Sequence, residues 1–427
     1  MYNYLKILNI RKLMRGCFII MKNYKLKKFA SIFLATSVLA GALAGCGADS
    51  GGSSSSNGGS SGSGNSASGD TIKIGANLEL SGAVASYGSS IGDGATLAVE
   101  EINANGGING KKIELIKVDN KSENSEATSA AIRLAEQEKV VAMIGPATSG
   151  NTVATVQIAN QYKVPVVTAS GTAPNVTENA DGSINEFAFR TCFIDPFQGT
   201  VAANFATNEL GAKNVAIFAD NASDYAKGLA ASFKETIEAN GGKVVIEQAY
   251  VAKDVDFKST LTNIKGANPD FIFIPGYYEE VGLIVKQARE LGITAPLMGA
   301  DGWDSPTLVD LAGKDALNNT FITNHYSSED PDATIQKFVE AFKGKYNQAP
   351  NAFHALGYDT VYYLKDAIER AGDDVTGETI KNMLAETKDL GLVTGTFTVD
   401  EKHNPVKSAT VLEFKDGNQV FNSKVNP

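Results

Sequence analysis

Histidine, tryptophan and cysteine are all scarce in this chain: its 427 residues include three, one and three of them respectively. The three histidines are His325, His354 and His403, so the first 324 residues contain none and no pair has metal-ligand spacing. A zinc site is therefore not expected, and the histidines read as incidental surface or helix residues. No GxxxxGK[ST] and no GxGxxG occurs, which leaves nucleotide chemistry without a phosphate cradle. Of the cysteines, Cys17 and Cys46 lie near the amino terminus and Cys192 stands alone, so no disulfide framework is available and packing must stabilise the fold. No His or Lys stands within seven residues of Cys192, which suits a small buried hydrophobe better than a reactive thiol. Basic charge is also short. Eight of the 38 Lys and Arg residues fall within residues 1–45, which carry no Asp or Glu, so the remainder holds 30 bases against 48 acids. Such a surface repels nucleic acid and anionic lipid.

What is present divides into an address, a tether and a folded part. Residues 1–45 read as a signal peptide, with Met21 a second candidate start: Lys22, Lys25, Lys27 and Lys28 precede the short apolar run "FASIFLATSVLAGALAG". Its end, "LAGC" at Leu43–Cys46, resembles the lipobox of bacterial lipoproteins, in which the cysteine is lipidated. Residues 46–70 continue as a Gly/Ser-rich linker with no aliphatic residue larger than alanine in 47–69, a composition unable to bury surface.

From Thr71 onward, short β-branched runs alternate with amphipathic stretches, the pattern of α/β proteins with parallel sheets. "TIKIGANL", "KIELIKV", "VVAMIG", "VPVVTAS", "NVAIFAD", "KVVIEQAYV", "DFIFIPG" and "APLMGAD" read as strands; "GATLAVEEINANGG" and "EEVGLIVKQARELG" read as helices. "NGG" at Asn105–Gly107 and Asn240–Gly242 supplies glycine C-caps. An internal echo pairs "IANQYKVPVVTASG" with "QARELGITAPLMGADG": helix end, turn, proline, apolar strand, small-residue loop. Two doubly wound lobes on one plan, with a ligand cleft between the carboxyl edges of their sheets, are the expectation.

The ordered set "SGAVASYG", "GATLAVEEINANGGINGKKIELI", "IGPATSGNT", "VPVVTASGTAP", "FRTCFIDPFQG", "DYAKGL", "DFIFIPGYYEEVGLIVKQARELG" and "PLMGADG" resembles the type I periplasmic binding proteins, specifically the branched-chain amino acid (leucine/isoleucine/valine) substrate-binding proteins of ABC importers. The resemblance implies a hinged, two-lobed fold of residues 71–192 plus 323–407 and 193–322 plus 408–427, with crossings near Cys192, Thr323 and Ser408. It also implies a monomeric, extracytoplasmic receptor, lipid-anchored at Cys46, that captures a small amino acid by hinge closure, uses no cofactor and delivers its cargo to membrane permease subunits.

A zwitterion needs donors for its carboxylate, acceptors for its ammonium and an apolar wall. Carried over motif by motif, the resemblance assigns Ser149 and the N–H of Thr172 to the carboxylate, the Thr172 hydroxyl to the ligand, and the Ser170 carbonyl to the ammonium. It has the hydroxyls of Tyr225 and Tyr277 close over the ligand. Asp301, in "MGADGWDSP", takes the place of a glutamate in better-known members and is implied to pair with the ammonium; an unpaired carboxylate in a shut cleft would then oppose closure without one. Tyr87, Ala147, Thr148, Trp303 and Phe353 are the wall candidates. By the residues alone, Ser149 could be only a helix cap, Asp301 a turn residue and either tyrosine a surface residue.

Two other classes stay in view. "GSSIG" at Gly88–Gly92 matches G-x-S-x-G with Ser90 as nucleophile, but the preceding strand ends too early for a nucleophile elbow. A solute sensor signalling to a membrane partner would carry the same cleft as a transport receptor.

Overall fold

The computed structural model describes residues 71–426. Five strands, β1 (Ile72–Leu78), β2 (Ile113–Asp119), β3 (Ala142–Ile144), β4 (Val166–Thr168) and β5 (Ala188–Arg190), form a parallel sheet in the order β2-β1-β3-β4-β5. A second sheet repeats that order: β6 (Asn214–Asp220), β7 (Lys243–Tyr250), β8 (Phe271–Phe273), β9 (Leu297–Gly299) and β10 (Thr320–Asn324) run parallel as β7-β6-β8-β9-β10. Three short strands, β11 (Leu390–Leu392), β12 (Gly395–Val399) and β13 (Pro405–Val406), make a separate small sheet. The hairpin of β14 (Ala409–Lys415) and β15 (Asn418–Val425) then extends the second sheet antiparallel beyond β10.

The helices in chain order are α1 (Ala85–Ala104), α2 (Asn124–Ile132), α3 (Ser149–Tyr162), α4 (Asp195–Asn204), α5 (Asp224–Ala239), α6 (Lys258–Gly266), α7 (Tyr278–Glu290), α8 (Pro306–Ala312), α9 (Ala333–Tyr346), α10 (Ala352–Ala371) and α11 (Gly377–Ala385). Among the described residues none is long and apolar enough to cross a membrane.

Helix α5 shows how the sequence makes such an element. Tyr225, Leu229, Phe233 and Ile237 recur every fourth residue and are all buried, giving one apolar stripe against the sheet. The Ser223 hydroxyl caps the start by accepting from Ala226 N–H at 3.3 Å. Gly241, at φ +82°, ends it, and Gly242 N–H donates to the Ile237 carbonyl at 2.9 Å. The central strands are covered on both faces, which is why "FIF" of β8 is a continuous apolar run with no exposed member.

The chain passes between the two sheets in three segments. It leaves the first after Arg190 and enters α4 at Asp195; it leaves the second after Asn324; and it returns between Val406 and Ala409. Thr323 and Asn324 still pair with β14, so the second departure falls at His325. On the far side, α9 and α10 bury Phe338, Phe342 and Ala355 with Leu97 of α1. Helices α1 and α10 approach so closely that a methyl added at Gly94 would lie 1.9 Å from the His354 carbonyl oxygen.

The Ser90 motif falls inside α1, its first glycine ten residues after β1 has ended, so no strand-turn-helix elbow exists there.

Candidate functional site

Loops at the carboxyl ends of both sheets face each other across one cavity, the position at which doubly wound folds expose backbone groups and helix N-termini to a ligand. The first lobe supplies Tyr87 from α1, Ala147 and Thr148 from the β3–α3 loop, Ser170 from the loop after β4, and Phe353 from α10. The second supplies Tyr225 at the start of α5, Tyr277 before α7, and Asp301 and Gly302 after β9. The space left between these side chains is about 10 Å³, room for about one water-sized body.

The wall is aromatic. Tyr87 stacks on Phe353 with ring centroids 4.4 Å apart and meets Tyr277 edge-on at 5.8 Å; Tyr277 in turn stacks on Tyr225 at 5.2 Å. The Tyr87 hydroxyl crosses between lobes to donate to the Gly302 carbonyl. Nearby, Tyr278 donates its hydroxyl to the Ala83 carbonyl at 3.0 Å, and Ser305 donates to Ser86 at 2.8 Å, so both lobes touch around the cavity mouth.

Asp301 is buried. Its Oδ1 accepts from the Tyr225 hydroxyl at 2.8 Å, its Oδ2 lies 3.2 Å from His325 Nε2, and its backbone N–H donates to Gln198 Oε1 at 2.9 Å. The expectation that this acid would be unpaired without an ammonium is corrected here: two protein donors already meet it. Two of its lone-pair directions remain for a guest. Burial, with the charges of Asp301 and Asp195 nearby, pushes the Tyr225 hydroxyl well above its ordinary range, so it stays a donor at physiological pH.

Ser170 donates its hydroxyl to the Ala147 carbonyl at 2.8 Å and lines the cavity. Ser149 begins α3 but does not line the cavity; its hydroxyl accepts from Ala173 N–H at 3.1 Å, which leaves its own proton free to donate. Thr172 also sits behind the lining. Its hydroxyl is buried with no hydrogen-bond partner, and its carbonyl accepts from Asp195 N–H at 3.1 Å. Trp303 is a correction. Although the wall candidate closest in sequence to Asp301, it points into the second lobe, where its indole N–H donates to the Ile274 carbonyl at 3.0 Å. The slot exists because Gly299 has no side chain: an added methyl would lie 2.0 Å from the indole nitrogen.

Three residues that local patterns did not single out complete the site. Glu79, at the end of β1, is fully buried and accepts from Ala147 N–H at 2.9 Å, Thr148 N–H at 3.2 Å, the Thr148 hydroxyl at 3.1 Å and Asn151 Nδ2 at 2.8 Å. It pins the loop ahead of α3 and turns the Thr148 methyl, not its proton, to the remaining space. Gln198 accepts from both Asp301 N–H and the Thr323 hydroxyl, at 2.9 and 2.8 Å. His325, expected at the surface, is buried against Asp301; burial pulls its basicity down, against the opposing pull of the Asp301 carboxylate. The visible signal for Glu79 was a lone acid closing the apolar run "TIKIGANLE", the same signal as at Asp301.

Residues 71–419 match the family described as periplasmic binding protein. The chain belongs to that family. This binding protein is 34% identical over 331 residues to a Leu/Ile/Val-binding protein of Rhizobium johnstonii, spanning 77% of this chain and 88% of the relative. Among solved structures it resembles the branched-chain amino acid transporter substrate-binding protein LivJ of Streptococcus pneumoniae in complex with isoleucine, at 42% identity and TM-score 0.79, covering 84% of this chain and 100% of that one. The leucine-binding protein LivK of Thermotoga maritima is similar at 37% identity and TM-score 0.79, covering 84% of this chain and 99% of that one. The type I fold with two parallel-sheet lobes is shared with both.

Proposed function

We propose that this binding protein captures an aliphatic, branched-chain α-amino acid between its lobes and delivers it to the permease of an ABC importer. The observation that carries the reading is the interlobe cavity with a buried carboxylate, Asp301, on one side, the Ala147–Ser170 loops on the other, and apolar ring faces between them. In this reading the ammonium meets Asp301 and the Ser170 carbonyl, the carboxylate meets the free proton of Ser149 and the first N–H groups of α3, and the side chain lies against Tyr87 and Phe353.

Capture needs no bond-making. No residue in the cavity is a nucleophile paired with a base, and its donors and acceptors are fixed in place, as recognition requires and turnover does not. Closure then follows from differential contact: a guest touching Ser170 and Asp301 at once favours the form in which the lobes meet.

The same reading places the protein outside the cytoplasm, tethered through a lipid on Cys46, a position outside the described residues. Labelled palmitate should enter the full chain in a bacterial host and be lost in Cys46→Ser. For the ligand, residues 71–427 are titrated with each of the twenty amino acids by thermal shift and then calorimetry. A rise in melting temperature confined to leucine, isoleucine and valine is expected; no rise with any amino acid overturns the reading.

A further inference from the structure

The second crossing segment begins with a histidine whose ring is held on every side. His325 Nε2 lies 3.2 Å from Asp301 Oδ2, with side-chain exposures of 1% and 3%. Its ring stacks on Phe193, in the first crossing segment, with centroids 3.8 Å apart and planes at 22°. Its backbone N–H donates to Asn324 Oδ1 at 2.8 Å. Nδ1 is buried and has no partner.

This geometry fixes the tautomer. A nitrogen 3.2 Å from a carboxylate oxygen carries its proton toward it, so Nε2–H is the donor and Nδ1 is bare. A second proton on Nδ1 would have no acceptor and would put a charge in a dry site near the Lys407 ammonium. Neutral histidine is thus a fixed single donor, and its strength is not spent on an ion pair that would compete with the guest.

We infer that His325 is a positioning residue for the amino-acid ammonium: it holds the Asp301 carboxylate from the interlobe segment and sets which two lone pairs face the cavity. Gln198 does the matching work on the backbone, accepting from Asp301 N–H and from Thr323 of β10, two residues before His325. Asp301 is therefore held by α4 through Gln198 and by His325 at the start of the second crossing segment. Tyr225, its other partner, comes from within the second lobe. A carboxylate one methylene shorter than glutamate has less reach, and a clamp at the hinge compensates by keeping it at one angle. This inference rests on the proposed ammonium site.

The test compares leucine with 2-hydroxy-4-methylpentanoate, which has a hydroxyl in place of the ammonium. Residues 71–427 carry His325→Phe, which keeps the stack on Phe193 and removes the donor, or His325→Gln, which restores an N–H near Nε2. For the parent, leucine binds more tightly than the hydroxy acid. In His325→Phe, leucine affinity falls at least tenfold while hydroxy-acid affinity changes less than threefold, and His325→Gln recovers most of the loss. Unchanged leucine affinity in His325→Phe, or an equal loss for both compounds, overturns the inference. If His325→Phe does not fold by circular dichroism, His325→Met takes its place under the same criteria. A parent that binds neither compound refutes the proposed function instead, so the two failures are distinct.

Discussion

Asp301→Asn removes one charge and almost nothing else, which makes it the sharpest probe of how this binding protein holds its guest. The carboxylate accepts from Tyr225 at 2.8 Å and from His325 at 3.2 Å. An asparagine keeps the tyrosine contact through Oδ1, whereas its Nδ2 donates to His325 Nε2 only if the ring proton moves to Nδ1, where it has no acceptor. Asp301→Ala would instead leave two buried donors without acceptors, at about 1–3 kcal/mol each, and confound binding with stability. With the amide, the interaction lost at the ligand is the charge-assisted hydrogen bond to the ammonium, and any cost at His325 falls on the fold and is read by the melting curve. In a site as buried as this, that bond contributes about 1.5–3 kcal/mol. At about 1.4 kcal/mol per decade, the expected loss in leucine affinity is about tenfold to a little over a hundredfold. Calorimetry gives the Kd, and a melting curve without ligand shows whether the fold is intact. A Kd within twofold of the parent, with an unchanged melting temperature, would refute the assignment of Asp301 to the ammonium.

Further outcomes follow from packing and burial. Gly94→Ala forces a methyl to 1.9 Å from the His354 carbonyl between α1 and α10 and should destabilise by about 3 kcal/mol, read as a fall in urea midpoint; an unaltered midpoint would show that the helices part at no cost. Burial pushes His354 down to about 3. Its unfolded form titrates at about 6.5, so the unfolded chain binds the extra proton first, and stability is lost as pH falls from about 6.5 toward 3, by about 5 kcal/mol at most. The parent-minus-His354→Gln difference in unfolding free energy should shrink across that window and stay level above pH 7; a flat difference throughout would refute the burial argument. Burial pushes the Cys192 thiol up to about 12, so iodoacetamide at pH 8 should label it only after denaturation, as read by intact mass; labelling of the native chain would contradict its placement.

How far local patterns carry is plain from particular residues. The strands and the doubled helix-turn-proline-strand echo were legible because period and punctuation are local: "IANQYKVPVVTASG" carries Ser170 just before its last glycine and "QARELGITAPLMGADG" carries Asp301 there, and both loops line the cavity. Tyr87, Ala147, Thr148, Tyr225, Tyr277 and Phe353 meet there as well. Trp303 was not legible, since the side to which a single turn of 3-10 helix directs its third residue depends on a slot made by Gly299 four positions earlier and by the Ile274 carbonyl of a neighbouring strand. His325 was hidden for a related reason. Metal spacing was the only pattern a lone histidine could satisfy, while its true partners, Asp301 and Phe193, are brought to it by sheet register and by the crossing of the chain. Glu79 carried a readable sign, an acid at the end of an apolar strand, yet its four donors come from a loop some seventy residues away.

The partners of Asp301 also bear on how the receptor rejects the wrong molecule. Tyrosine and histidine donors keep that acid solvated by protein whenever the halves come together, so shutting over nothing strands no charge. Selectivity therefore cannot reside in a penalty for vacancy. It must come from guests that cannot seat: those too bulky to lie against the rings of Tyr87 and Phe353, or those that would place a second acceptor against a carboxylate with no proton to share.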